Sequence, residues 1–267
     1  MDSGIPRLLL LSGPLMLAVG AAFVIGWKAG SRTPLRWFWA GAAIWTAGVA
    51  LKVVTALLLN KPVFAGLKAL LPRSALLVLG AGYIGLLTGV FEIGVTLMAA
   101  LKWQGLARNA KRAVAVGVGA GAFEAILLGT AALISALVAL SNLPGSQEAR
   151  TAITSSAAHT SLPWLTGTVE RIIAILVHTS SRTLVLLSVA RRRWCFFWYG
   201  FLLLSAVDAI AGFVLVSDIA SRVSIWWVEL AIAPFALASV PIIRWCIRHW
   251  PAEPGAEPEP LDRVSEC

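Results

Sequence analysis

Charge is scarce in this chain: Asp, Glu, Lys and Arg together make up 13% of its 267 residues, about half of what a soluble domain carries. Cysteine is scarcer still, with Cys195, Cys246 and Cys267 in no paired or CxxC spacing. That excludes a disulfide framework and a thiolate metal centre. A nucleotide-binding glycine loop is missing as well, because Gly117, Gly119 and Gly121 lie inside an apolar run with no preceding strand and no phosphate-binding Lys.

What the chain has instead is apolar length. Hydrophobic residues make up 58% and the mean hydropathy is +0.83, which describes a polytopic membrane protein. Seven runs of about 20 apolar residues or more recur, over 8–29, 35–59, 75–101, 113–140, 163–190, 194–216 and 225–247. The expected fold is therefore all-α, a transmembrane bundle of seven helices. The first run has no basic segment before it beyond Arg7 and no small-residue cleavage site, so it reads as a retained span.

The net charge of +9 does not point to nucleic acid, because the cations sit in short loops between spans. One set of loops carries Lys28, Arg32, Arg36, Lys102, Arg108, Lys111, Arg112, Arg191, Arg192, Arg193, Arg244 and Arg248. The other carries only Arg7, Lys61, Lys68, Arg73, Arg150 and Arg222. The positive-inside rule then predicts the N-terminus outside and the C-terminus inside a cell membrane. Trp27, Trp37, Trp103, Trp164, Trp194, Trp226, Trp227 and Trp245 fall near span ends, where indoles favour the lipid interface.

Residues 1–250 read as the membrane domain. The segment 251–267, PAEPGAEPEPLDRVSEC, is too rich in Pro and Glu to bury a core and reads as a disordered tail. The loop 142–162, with Pro144, Gly145 and His159, reads as a linker on the outer face, with a lid or entrance as the alternative. Glycines at 80, 82, 85 and 89 and at 117, 119 and 121 make small-residue faces on which helices pack closely.

Function is sought where polar groups interrupt the apolar runs. A charged side chain at a helix centre costs roughly 2.5 to 3.5 kcal/mol on insertion scales, so such groups face a bundle interior, a cavity or one another. At 1.5 Å per residue, Glu92 lies about 14 Å from the predicted inner end of its span, Glu124 and His178 about 18 Å, and Asp208 about 21 Å. Four titratable groups from four helices thus share the middle of the bilayer, as a metal site or a proton relay requires. Arg171, His178 and Arg182 follow one helical stripe. Lys52 and Glu170 lie at similar depth, which suggests an ion pair. Glu229 lies close enough to the outer end of the last span to reach the interface.

The segments Phe91-Glu92, Gly119-Ala120-Gly121-Ala122-Phe123-Glu124-Ala125-Ile126, Glu170-Arg171 with His178 and Ser181, and Asp208 resemble those of the YhfC-like intramembrane metalloproteases, relatives of the CPBP and PrsW groups. The resemblance covers roughly residues 35–213. It implies peptide-bond hydrolysis within the membrane with zinc as cofactor, Glu124, His178 and Asp208 as metal ligands, Glu92 as general base, and Arg171 or Arg182 at the oxyanion. The chain departs from the family pattern at Ile93, where a second glutamate is expected, at Val95 for an Arg, and at Ala120 and Leu204 for two histidines.

Three readings follow. One is a divergent metallohydrolase acting on membrane-protein substrates. Another is a non-catalytic relative that binds partner transmembrane helices. The third is a proton-coupled transporter relaying through Asp208, Glu124 and His178, although no inverted repeat accompanies it.

Overall fold

The computed structural model describes residues 7–141, 143–157 and 159–252. Its elements are helical: α1 (Ser12–Ser31), α2 (Arg36–Leu70), α3 (Arg73–Thr88), α4 (Gly94–Lys102), α5 (Ala110–Leu140), α6 (Ser146–Ala157), α7 (Pro163–Arg191), α8 (Trp194–Ser217) and α9 (Trp226–Arg248). A π-helical turn, Gly89–Ile93, joins α3 to α4 without a break, so the two act as one span. Among the described residues no β-strand occurs. Seven helices are long and apolar enough to cross a membrane, as the seven apolar runs predict.

The differences lie at the edges of those runs. The second span continues past residue 59 through Pro62 to Leu70, although Lys61 and Lys68 lower its apolarity. At 1.5 Å per residue this helix exceeds the roughly 30 Å hydrocarbon layer by several turns. The loop expected over 142–162 contains α6. Most of the Pro/Glu-rich tail, with Cys267, lies outside the described residues.

The bundle is built around α7. In its most apolar window 78% of residues are buried, against 39% or less for every other span. It packs against α1, α5, α8 and α9, while α2 lies on α5 and α3 lies along α8. Thr179, Ser180, Ser181 and Thr183 on α7 are all buried. Their hydroxyls donate to carbonyls three or four residues back, the usual device for a hydroxyl that finds no water. Ser180 also shares a 2.8 Å hydrogen bond with Ser239 of α9, a polar fastening between two spans. Leucines such as Leu57, Leu215 and Leu237 face outward, which suits contact with lipid rather than water.

Close approach depends on α5. A Cβ at Gly119 would lie 2.1 Å from the Phe38 carbonyl oxygen of α2, and one at Gly121 would lie 2.7 Å from Ile175 Cα of α7. Alternate glycines thus admit two helices on different sides of α5, the small-residue packing that replaces the hydrophobic effect in lipid. Gly82 has nothing within 4 Å of such a Cβ. Gly119→Ala is expected to destabilise the bundle by about 1 to 3 kcal/mol through overpacking, read as a fall in thermal midpoint in detergent. Gly82→Ala should stay within about 0.5 kcal/mol of the parent.

Candidate functional site: a buried ion-pair relay beside a membrane cavity

The π turn makes Glu92 and Ile93 both inward residues, with Glu92 2% exposed. An i→i+5 turn accommodates an extra residue in a helix, and such bulges often mark functional sites. Glu92 Oε1 accepts from Lys52 Nζ of α2 at 2.6 Å, and its Oε2 accepts from Arg182 Nη2 of α7 at 3.2 Å. Lys52 also donates to the Thr88 hydroxyl at 3.2 Å and lies 3.5 Å from Asp208 Oδ2 of α8. The Thr88 hydroxyl donates in turn to Asp208.

Arg182 is fully buried. Its Nη1 lies 2.5 Å from His178 Nδ1 one turn earlier, while His178 Nε2 lies 2.6 Å from Glu124 Oε2 of α5. An arginine nitrogen can only donate, so Nδ1 accepts, and the ring proton sits on Nε2 and faces Glu124. Glu124 Oε1 accepts from Arg171 Nη1 at 2.5 Å, and Arg171 Nη2 donates to Glu170 at 2.5 Å. A continuous relay results, running Asp208, Lys52, Glu92, Arg182, His178, Glu124, Arg171, Glu170. The four mid-membrane groups that the depth argument selected, Glu92, Glu124, His178 and Asp208, are thus linked within one network.

The cations in this relay carry the corrections. Lys52 does not pair with Glu170; it serves Glu92 and Asp208, and Glu170 pairs with Arg171 on its own helix. Arg182 is a central bridge, and Thr88 joins the site without a sequence signal beyond a hydroxyl in an apolar run. Glu229 does not reach outward to the interface. It is 5% exposed, and its Oε2 has no hydrogen-bond partner.

Next to the relay lies a cavity of about 330 Å³. Glu124, Glu170, Arg171, His178, Asp208 and Glu229 form its polar wall, and aliphatic residues of α7, α8 and α9, including Val177, Leu204, Val207 and Ile232, form the rest. It reaches from His178 in mid-span to Ala220 and Ile225 at the face where α1 begins. Glu92 is not among its lining residues.

A catalytic zinc takes about three protein ligands and an open position for water. Both ring nitrogens of His178 are engaged, and both oxygens of Glu92 and of Glu124 are held by cations or by His178. Asp208 Oδ2 is held by Thr88 and Lys52. Ala120 and Leu204, where the resemblance implies histidines, are buried apolar residues. Among the described residues no three His, Cys, Asp or Glu side chains form a cluster that could hold a metal ion. This arrangement does not fit zinc.

The relay also implies a specific pattern of coupling. Arg182→Met leaves Glu92 short of a buried partner and should destabilise the protein by about 3 to 5 kcal/mol. Adding Glu92→Gln should restore part of that loss, because Lys52 keeps Asp208. The two changes are expected to be non-additive by about 1 to 3 kcal/mol in a thermal double-mutant cycle.

No curated protein and no solved structure matches the chain. The YhfC intramembrane metalloprotease family matches residues 15–231, a stretch holding every helix of the relay and all but one residue of the cavity wall. Its name implies a metal in the family at large. On that match the chain, an integral membrane protein by its seven long apolar helices, belongs to the YhfC intramembrane metalloprotease family.

Proposed function

We propose that this chain is a non-hydrolytic member of its family that docks a transmembrane segment of another protein in the cavity between α7, α8 and α9. One observation carries the reading: the donors a metal would need are already paired with Lys52, Arg171, Arg182 or one another, while a cavity with one polar and one apolar wall stays open beside them. Leu204 contributes packing surface to that wall. The polar wall can meet the unpaired backbone groups at the end of a partner helix, and the aliphatic wall can meet its side chains. We place the chain in the cell membrane with its N-terminus outside, on the distribution of loop cations. The cavity then opens toward the outer leaflet.

A second reading, metal-dependent hydrolysis of a peptide bond in the membrane, is favoured by the shared cavity of Glu124, His178 and Asp208. It requires Arg171 and Arg182 to release Glu124 and His178. Metal analysis separates the two. Protein purified without added metal is expected to contain no stoichiometric zinc, and His178→Ala should lower thermal stability without changing metal content. About one zinc per chain that disappears in His178→Ala, as a catalytic site would give, would overturn the docking reading in favour of hydrolysis.

A further inference from the structure

The relay and the cavity wall hold five carboxylates, Glu92, Glu124, Glu170, Asp208 and Glu229, against three cations, Lys52, Arg171 and Arg182. His178 accepts a hydrogen bond at Nδ1 and adds no positive charge in that tautomer. The acidic excess faces the cavity. Arg171 is the only cation on the described wall, and it is already divided between Glu124 and Glu170. Glu170 remains nearly half exposed at its side chain. Glu229, nineteen-twentieths buried, lines the same space with one oxygen unpartnered.

A buried acceptor without a donor is costly in a medium of low dielectric, and here two acidic side chains meet an aliphatic floor of Val228, Ile232 and Val214. The complement is a cationic head on a methylene stem. Lysine and arginine in membrane segments have that shape, with an apolar stem along lipid or protein and a charge seeking acceptors.

We propose that the cavity selects partner membrane segments carrying a basic residue, whose charged head sits at Glu170 and Glu229 and whose stem lies along the aliphatic wall. This rests on the docking reading above and names the partner chemistry.

The test uses the full chain in lipid nanodiscs and two synthetic transmembrane peptides of Leu and Ala. One carries a single lysine about one third of the way in from the outer end; the other has norleucine there, which keeps the stem and removes the amine. The lysine peptide is expected to bind about tenfold tighter, the equivalent of 1.4 kcal/mol. Glu229→Gln and Glu170→Gln should each lower the ratio of lysine-peptide to norleucine-peptide affinity, measured within each variant. Glu170→Gln, at the more exposed site, keeps the test valid where Glu229→Gln fails to fold. Equal affinity of the two peptides would overturn the cation inference and leave docking intact. Binding of neither peptide would overturn both. Displacement of the lysine peptide by dodecylamine at equal affinity would assign the cavity to a small amphiphilic amine and overturn the peptide assignment.

Discussion

A charge in hydrocarbon persists only with a partner, and the central helix of this bundle carries two buried arginines and a buried histidine. The surrounding architecture answers that demand. The π turn supplies Glu92 to Arg182 and α5 supplies Glu124 to His178 and Arg171, while Lys52 of α2 links Glu92 to Asp208 of α8. Gly117 and Gly121 bring α5 against the backbone of α7, so that Glu124 reaches both His178 and Arg171 without a long side chain. Packing and electrostatics therefore constrain the same helices. Desolvation of such pairs offsets much of their attraction, so the relay specifies which helices neighbour which rather than adding much net stability.

The seven spans were legible because an apolar run of membrane length has few alternative readings. The end of α2 was less so, since Asn60, Lys61 and Pro62 resemble a loop while the backbone remains helical to Leu70. Depth along a helix axis was readable by counting, which is why Glu92, Glu124, His178 and Asp208 emerged together. Rotation about the axis was not. Lys52 and Glu170 share a depth, yet α2 packs on α5 and on the π turn, which places Glu92 opposite Lys52. The π turn has no residue signature, and the inward turn of Glu229 depends on how α9 lies against α7. Contacts between helices, not patterns within them, decide these features.

The family match spans the whole relay, while Ala120 and Leu204, where the resemblance implies histidines, are buried apolar residues. In a metal site, several donors are held in place by one cation. Here that convergence is distributed over Lys52 of α2 and Arg171 and Arg182 of α7. The carboxylates are thus positioned by several protein cations. Leu204 contributes apolar surface to the cavity wall.

Chain order gives the central position of α7 a further meaning. Lys52, Glu92 and Glu124 all precede Arg171 and Arg182 along the polypeptide, so the helices bearing them are synthesised first. A lone α7 is a poor transmembrane segment, since each central arginine costs roughly 2.5 to 3.5 kcal/mol to insert. Arriving fifth among the spans, it meets counter-charges already made. Biogenesis in the bilayer can thus follow the order of translation, with the most polar span entering after α2, α3, α4 and α5 have prepared its place, and with α8 and α9 closing around it.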